Sequence, residues 1–304
     1  MFNLPIGVDI SNLIDDLRII SWEAEKILTH YSKELKEQKV KKDLVSIKEN
    51  NEPVTLADIE VNDLIIKSIK ERYEDVEWQL LSEENGIIRL NKSVMNSHWL
   101  WVLDPLDGTK DFIQGTNNYA LHLALNYKNK PYLGIVLIPE KEELWISYLE
   151  NVWCENKVGL RQEIKFSNKR KIEEMILVTS KNHNNQNLQK IIKALGFKES
   201  IIMGSIGCKV ASILRGESDI YLSLSLPGKS SPKDWDFAAP ESLLRSAGGS
   251  ITNLENEELT YYKEGFKQEG FIIASNNKNN HKFICEEIKD ILKKNNLYPF
   301  SYLI

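Results

Sequence analysis

The first part of the chain repeats apolar and polar residues with the spacing of amphipathic helices. Between Val8 and Lys39, apolar residues recur every three or four positions, which predicts one long helix with a single buried face. A polar, charged stretch follows, and a second run of this kind predicts a helix over Ala57–Arg72, with Asp58 near its start. Two helices therefore precede the first long predicted strands.

Short aromatic and aliphatic runs that end directly before carboxylates indicate two buried strands. These runs are Trp78–Leu81 and His98–Leu103. Between Tyr119 and Tyr148, turn signals separate further apolar runs, a pattern that predicts an antiparallel meander. Two acidic clusters are thus predicted at strand ends.

The second half of the chain contains both kinds of pattern. Apolar runs predict strands at Met175–Thr179, Ile220–Leu224 and Gly270–Ala274, and helical spacing predicts helices over Leu188–Leu195, Cys208–Arg215 and Asp236–Ala247. Two stretches rich in lysine and asparagine, residues 181–189 and 276–282, are predicted as loops. The fold class is therefore mixed α and β.

Composition narrows the class of protein. The 304 residues are 42% hydrophobic, enough for one large domain or two closely packed halves. The net charge of -5 argues against binding to nucleic-acid polymers or membrane surfaces. Three widely spaced cysteines form no Cys-x-x-Cys pair, residues 1–18 lack the order of a secretory signal, and no apolar run is long enough to span a bilayer. We expect a soluble, cytoplasmic protein with reduced thiols and no membrane insertion.

The segment Asp104–Thr109, which reads Asp-Pro-Leu-Asp-Gly-Thr, directly follows a predicted buried strand. Pro105 fixes its own φ and favours an extended conformation at Asp104, so a sharp turn can aim Asp104 and Asp107 at one point. Two carboxylates this close repel each other unless a cation lies between them, and hard oxygen ligands suit Mg²⁺. Asp-Pro and Asp-Gly are also common in ordinary surface turns, so the segment alone proves little.

Two further acidic clusters strengthen the prediction of a metal site. Ser82-Glu83-Glu84 follows the other predicted strand, and Trp235-Asp236 opens a predicted helix. The glycine at position 108 would let the backbone approach a ligand closely.

These clusters belong to four separated segments of the chain: Pro53–Asp58, Ser82–Glu84, Asp104–Phe112, and Trp235–Pro240 continuing to Gly249. Together the segments resemble the lithium-sensitive inositol monophosphatase superfamily of metal-dependent phosphatases. Their order and spacing agree with that superfamily over roughly residues 10 to 275.

Within the superfamily, Asp107–Phe112 is similar to the Gly-Thr-Lys-Glu-Phe form of CysQ-type 3'(2'),5'-bisphosphate nucleotidases, and Lys110 is the informative residue. The segments Thr179–His183 and Gly204-Ser205 followed by Lys209 are also similar to segments of those nucleotidases. The sequence departs from the pattern with Asp111 in place of glutamate, Lys181 in place of arginine, and a different loop over Gly115–Tyr119.

The resemblance implies a layered α-β-α-β-α sandwich. It implies an N-terminal half, residues 1–160, with most metal ligands, and a C-terminal half, residues 161–304, with Asp236 and substrate-binding residues. Two or three Mg²⁺ ions are expected. The implied ligands of the first ion are Glu83, Asp104 and the Leu106 carbonyl, and those of the second are Asp104, Asp107 and Asp236. Both a monomer and a homodimer are compatible with the resemblance.

The resemblance also implies the catalytic groups. Thr109 would orient the attacking water and pass its proton towards Asp58, because a hydroxyl alone is too weak a base. Asp58 could equally be a helix cap. The implied substrate-binding residues are Gly108, Thr109, Lys110, His183, Ser205, Lys209 and Asp236. Lys181, Lys229 and Lys233 are further candidates for holding a second phosphate.

The resulting prediction is a Mg²⁺-dependent phosphomonoesterase that converts 3'-phosphoadenosine 5'-phosphate, an adenosine bisphosphate, to AMP and phosphate, with 3'-phosphoadenylyl sulfate as a further substrate. Inositol monophosphatase or related sugar phosphatase activity is the alternative, and a catalytically silent regulator that binds a nucleotide or a metal is the non-enzyme alternative. A phosphatase with an aspartate nucleophile is disfavoured because the spacing here is Asp-x-x-Asp and not Asp-x-Asp. The histidines at positions 30, 98, 122 and 281 show no ligand spacing and receive no role.

Overall fold

A computed structural model describes residues 4–5, 7–37, 44–48, 52–90, 98–165, 167, 169–180, 186–226, 228 and 230–300. These residues form seven α-helices and fifteen strands, which confirms the mixed α and β class. The helices are α1 Ile10–Lys36, α2 Leu56–Arg72, α3 Thr109–Gln114, α4 Gln186–Leu195, α5 Ile206–Leu214, α6 Asp234–Ser246 and α7 Lys278–Lys294.

The strands begin with a short pair, β1 Val45–Ile47 and β2 Pro53–Thr55, and continue through two larger sheets. Those of the first sheet are β3 Gln79–Ser82, β4 Gly86–Arg89, β5 Trp99–Asp107, β6 Ala120–Tyr127, β7 Lys130–Ile138, β8 Glu143–Tyr148, β9 Asn151–Glu155 and β10 Arg161–Gln162. Those of the second sheet are β11 Ile176–Ser180, β12 Glu199–Met203, β13 Ile220–Ser225, β14 Ser250–Asn253 and β15 Gly270–Ser275.

The first helical layer consists of α1 and α2, which pack on one face of the first sheet. Asp9 caps α1 by accepting hydrogen bonds from the backbone N–H groups of Ser11 and Asn12 at 2.9 and 3.0 Å. The buried stripe of α1 follows the predicted spacing, with Leu13, Leu17, Ile20, Ala24 and Leu28 at most 1% exposed. This layer supports the sheet from the side opposite to the second half of the chain.

The first sheet has eight strands in the order β10-β9-β8-β7-β6-β5-β3-β4. Strands β6, β7 and β8 pair antiparallel with their sequence neighbours, so the meander predicted between Tyr119 and Tyr148 is confirmed. Strands β5 and β9 continue it at either side. Strands β3 and β5 instead run parallel, with Ser82 paired to Leu103. Because parallel strands end at the same edge, the residues that follow Ser82 and Leu103 lie side by side.

The inner helical layer, α5 and α6, lies between the first sheet and a five-stranded sheet of order β12-β11-β13-β15-β14. Helices α4 and α7 pack on the outer face of that second sheet. The order of layers is therefore α-β-α-β-α, as the resemblance implied.

Several predicted boundaries differ from the structure. The predicted loop at 276–282 is wrong, because α7 begins at Lys278, with Asn277 accepting hydrogen bonds from the backbone N–H groups of Asn279 and Asn280. Helix α4 likewise begins inside the predicted loop at 181–189. Seven strands were not predicted, namely β1, β2, β4, β9, β10, β12 and β14. Each spans at most five residues, and β4 and β12 are largely exposed.

The three cysteines are buried and unpaired. In the part of the chain that the structure describes, no helix combines the length and apolar character that crossing a membrane requires.

Candidate active site

A cavity opens where the end of β5 meets the N-terminus of α6. Its lining includes the acidic side chains of Glu83, Asp104, Asp107 and Asp236. Gly108, Thr109 and Lys110, which follow the strand directly, line the same cavity. The predicted strand ends and helix start thus meet at one site.

Strand β5 is buried along its whole length and carries Asp104 and Asp107 to this cavity. Its pairing with β6 is interrupted between Asp104 and Asp107, where Pro105 has no N–H to donate to a ladder. The Asp104 carboxylate accepts a hydrogen bond from the backbone N–H of Leu106 at 3.0 Å. This local turn orients Asp104 and brings Leu106 into the cavity wall.

Asp107 is fixed by the start of α5. Its Oδ2 accepts hydrogen bonds from the Ser205 hydroxyl at 2.7 Å and the Ile206 backbone N–H at 2.5 Å. These are groups at the N-terminus of a helix, where the helix dipole favours a negative charge. One carboxylate oxygen of Asp107 is therefore committed to the protein, and Oδ1 remains for a ligand.

Asp236 lies in the first turn of α6. Its Oδ2 accepts a hydrogen bond from the backbone N–H of Lys233 at 2.5 Å, which closes the helix start. As with Asp107, one oxygen of the carboxylate is used by the backbone.

Asp104, Asp107 and Asp236 form a compact acidic cluster, with one ligand atom of each within 4.8 Å of the others. Burial, followed by the charges of Glu83, Asp107 and Asp236, raises the pKa of Asp104 well above its usual value. Burial and then the charge of Asp107 raise the pKa of Asp236 in the same way. A bound cation would relieve this repulsion, and a donor set made only of oxygen atoms fits a hard cation such as Mg²⁺.

Glu83 lies at the edge of this cluster because β3 and β5 are parallel neighbours. Its backbone N–H donates to the carbonyl of Leu103 at 3.1 Å, which places the side chain next to Asp104. Its carboxylate also contacts Lys48, whose Nζ lies 2.8 Å from Glu83 Oε1 and 2.7 Å from Glu84 Oε1. Burial opposes the charge of Lys48, but the two glutamates outweigh it and raise the pKa of the lysine.

Asp58 and Thr109 lie together beside the acidic cluster. Asp58 Oδ2 accepts hydrogen bonds from the backbone N–H and hydroxyl of Thr55, at 2.7 and 2.6 Å, and so completes a capping box with Thr55, the N-cap of α2. Asp58 Oδ1 faces the Thr109 hydroxyl at 3.4 Å, and that hydroxyl also contacts the Leu106 carbonyl at 3.1 Å. One carboxylate oxygen of Asp58 therefore contacts Thr55 at the start of the helix, and the other contacts Thr109, so both predicted contacts are present.

Burial raises the pKa of Asp58 to about 7, although hydrogen bonds from Thr55 oppose the shift. Asp58 is 1% exposed and Thr109 is partly exposed at the cavity surface. A carboxylate with a pKa near neutrality can both accept and return a proton.

The residues predicted to bind substrate fall into three groups. Gly108, Thr109, Lys110 and Asp236 line the cavity. Ser205 and Lys209 are completely buried and are not among the lining residues. His183, like Lys181 and Lys229, lies outside the described residues.

Lys209 lies below the cavity wall because α5 is sandwiched between two sheets, which buries all of its residues. Its Nζ donates to the carbonyl of Gly204 and lies 5.6 Å from the ring centre of Tyr221. Burial lowers the pKa of Lys209, partly offset by Asp107. This placement gives Lys209 a supporting position under the Gly204–Ser205 turn rather than a direct position in the cavity.

Sequence reasoning gave no role to two residues that contact the acidic residues. His122 is fully buried in β6, accepts a hydrogen bond at Nε2 from the Gly207 N–H at 3.1 Å, and lies 3.3 Å from Asp107 Oδ2. Lys48 is the other. A histidine among apolar residues in a predicted strand was a usable signal for a buried polar contact, whereas nothing in the linear pattern singled out Lys48.

Residues 13–293 match the model described as the Inositol monophosphatase family. The chain is 28% identical over 230 residues to the 3'(2'),5'-bisphosphate nucleotidase CysQ of Salmonella typhimurium, a match that covers 75% of this chain and 87% of the relative. Among solved structures, the extragenic suppressor protein suhB from Bartonella henselae superposes with a TM-score of 0.73, and the Thermotoga maritima IMPase with 0.71. Each is 21% identical and covers 93% of this chain and 99% of the other. These two structures are similar in fold.

Proposed function

This chain belongs to the inositol monophosphatase family, and we propose that it is a Mg²⁺-dependent phosphomonoesterase that removes the 3'-phosphate of 3'-phosphoadenosine 5'-phosphate. The products are AMP and phosphate. The observation that carries the proposal is the convergence of Asp104, Asp107 and Asp236 beside the Asp58–Thr109 pair. Three carboxylates next to a hydroxyl and a neutral-range base are what hydrolysis by an activated water requires.

The acidic cluster would hold the cations through Asp104, Asp107, Asp236, Glu83 and the Leu106 carbonyl. When bound, divalent cations would lower the pKa of an attacking water and neutralise charge on the phosphoryl and leaving oxygens. The protein's part is to hold three carboxylates together against their own repulsion. The backbone and hydroxyl groups at the start of α5 and α6 do this by fixing one oxygen of Asp107 and one of Asp236.

Thr109 and Asp58 would move the proton. The Thr109 hydroxyl has two acceptors in reach, the Leu106 carbonyl at 3.1 Å and Asp58 Oδ1 at 3.4 Å. When it donates to Asp58, its oxygen keeps a lone pair for the attacking water. As the water attacks phosphorus, its proton passes to Thr109 Oγ1 while the threonine proton passes to Asp58. The raised pKa of Asp58, about 7, suits this acceptor role.

The adenosine bisphosphate substrate is supported by two observations. The curated relative that matches most of this chain is named for bisphosphate nucleotidase activity. In addition, Lys110 is exposed on the cavity wall, and Lys233 lines the cavity from the other side. These ammonium groups supply the positive charge that a second phosphate needs in a protein of net charge -5.

A comparative assay tests the proposal. Purified protein with MgCl₂ is given 3'-phosphoadenosine 5'-phosphate, inositol 1-phosphate or fructose 1,6-bisphosphate, and released phosphate is measured. We expect the highest kcat/KM with the adenosine bisphosphate and no release in EDTA. The Asp104→Asn protein, purified in parallel, controls for contaminating phosphatases.

A higher kcat/KM for the inositol ester would overturn the substrate but keep the reaction. If the protein binds these compounds but releases phosphate from none of the three, the result would favour a regulator without catalytic activity.

A further inference from the structure

The chain between β14 and β15 forms a loop that is fastened to the N-terminus of α6. The buried carboxylate of Asp234 accepts hydrogen bonds from the backbone N–H of Tyr262 at 2.6 Å and from the side-chain amide of Gln268 at 2.7 Å. The Gln268 backbone N–H donates to the Pro232 carbonyl at 2.8 Å. The second half of the loop, Tyr262–Gln268, is therefore held at both of its ends by Pro232 and Asp234, which precede Asp236 by four and two positions.

This loop carries two aromatic rings to the side of the cavity. The half-buried Trp235 lines the cavity, and the ring of Phe266 lies 6.1 Å from it between centroids. The ring of Tyr262 lies 5.9 Å from Phe266 and is 41% exposed. The three side chains, which we call the aromatic wall, contact one another in the order Trp235, Phe266, Tyr262, from the cavity lining to an exposed ring.

The backbone that presents these rings is unusual. Tyr262 and Phe266 have φ angles of 66° and 54°, in the left-handed region that bulky residues rarely adopt, with Gly265 at 69° between them. Lys233 Nζ donates to the Gly265 carbonyl at 3.2 Å, another tie between the loop and the cavity. Unfavourable backbone conformations persist where surrounding contacts impose them, and they are concentrated at ligand sites.

We infer that the aromatic wall is a stacking subsite for the planar base of a nucleotide substrate. The inference rests on the proposed function and assigns the base to the α6 side of the cavity, next to Trp235. A base has a flat π face that stacks on aromatic rings, whereas an inositol or sugar phosphate has none. Because Asp234 ties the loop to the helix of Asp236, the distance between the stacking surface and the acidic cluster is fixed.

The test compares binding of two probes, one that carries a base on C1′ of the ribose phosphate and one that carries a hydroxyl there. Isothermal titration measures the Kd of AMP and of ribose 5-phosphate for the full chain with MgCl₂ and for the variants Phe266→Leu and Tyr262→Leu. We expect wild type to bind AMP more tightly than ribose 5-phosphate. Phe266→Leu should raise the Kd of AMP about 5- to 30-fold, Tyr262→Leu should raise it less, and neither should change the Kd of ribose 5-phosphate.

Two controls separate stacking from structural damage. Phe266→Tyr keeps a ring at the same position and should restore AMP binding. Phe283→Leu makes the same substitution at a phenylalanine that is 65% exposed on α7, in the outer helical layer, and should change neither Kd. Thermal melting of each variant shows whether the fold is retained.

The inference is overturned if wild type binds the two probes equally, if Phe266→Leu leaves AMP binding unchanged, or if it weakens both probes by the same factor. Because these are binding measurements, they do not depend on turnover. Tight AMP binding that requires Phe266, in a protein that releases no phosphate from 3'-phosphoadenosine 5'-phosphate, would reject the proposed reaction and keep the subsite.

Discussion

Lys48 places its ammonium group 2.8 Å from a carboxylate oxygen of Glu83, a predicted metal ligand, and 2.7 Å from Glu84. The lysine thus neutralises part of the negative charge at the edge of the acidic cluster. A cation that binds through Glu83 meets this ammonium as a competitor.

We therefore predict that Lys48→Gln lowers the melting temperature in EDTA by about 1–2 °C, the shift expected when roughly 1 kcal/mol is lost from a chain of 304 residues. It should also enlarge the rise in melting temperature that MgCl₂ produces, because the ion no longer competes with an ammonium group. Melting curves with EDTA and with MgCl₂ measure both effects. Lys67→Gln is the control, since Lys67 is 73% exposed and its contact with Glu71 is long, at 3.9 Å. A smaller Mg²⁺ response in Lys48→Gln would contradict the competition.

Asp104→Asn should reduce kcat by roughly 10²- to 10³-fold, because an amide replaces the central charge of the cluster and weakens the stabilisation of transition-state charge. The fold should remain intact, since the asparagine oxygen can still accept the hydrogen bond from the Leu106 N–H. The melting temperature in EDTA should be equal to or above that of wild type, because a buried, repelled charge is removed. Near-normal turnover by the folded variant would reject the assignment of Asp104 as a shared metal ligand.

Two substitutions of Thr109 separate the contribution of its hydroxyl to activity from that of its size. Thr109→Val keeps the volume but loses the contact with Asp58 and should lower kcat by about 10²- to 10⁴-fold with little change in KM. Thr109→Ser keeps the hydroxyl and should retain most of the activity. Steady-state kinetics on both variants test the proton path, and a Thr109→Val protein as active as Thr109→Ser would contradict a role of the hydroxyl.

His281 should make stability depend on pH below neutrality. Burial lowers its pKa from 6.5 to about 4, and its two ring nitrogens contact Ser275 at 2.7 Å and Thr252 at 2.8 Å. The unfolded chain therefore binds the proton more readily, and the free energy of unfolding falls as the pH drops from 6.5 towards 4 and then levels off.

The contribution of His281 over this range is of the order of 2–3 kcal/mol. Urea unfolding of wild type and His281→Gln between pH 4 and 7 measures it, and the variant should show a flatter dependence. His30→Gln is the control, since the His30 side chain is 63% exposed. Parallel curves for wild type and His281→Gln would show that the buried histidine does not titrate in this way.

The acidic cluster and the neighbouring Asp58 were accessible from the sequence because these carboxylates lie at the start or the end of elements that the apolar pattern predicts. Asp104 ends a buried run, Asp236 opens a helix, and Asp58 lies at the start of another. Side chains at the ends of elements come close together in space when those ends lie at the same edge of a sheet. For Asp58 the helix-cap interpretation is confirmed without excluding the proposed catalytic role, because a carboxylate has two oxygens and each can have its own partner.

The orientations of Ser205 and Lys209 could not be predicted in the same way. A matched segment identifies residues but not the side of a helix that faces the cavity, and α5 lies between two sheets that bury both of its faces. The contact of Lys48 with Glu83 joins residues 35 positions apart through a short strand pair, and no local pattern encodes it. Helix α7 was missed because its asparagine-rich start was interpreted as a loop, although Asn277 provides the cap.

The groups that fix Asp107 belong to a different layer from Asp107 itself. The carboxylate extends from the first sheet, while the Ser205 hydroxyl and Ile206 N–H that hold it come from the helical layer shared with the second sheet. A chain in which only one sheet has formed would therefore lack part of the predicted metal site, because Asp236 also arrives with the inner helices. Cation binding at the proposed site would thus report correct assembly of the whole sandwich, because a shift in the packing of the two sheets would move the carboxylates apart even with every predicted ligand residue unchanged.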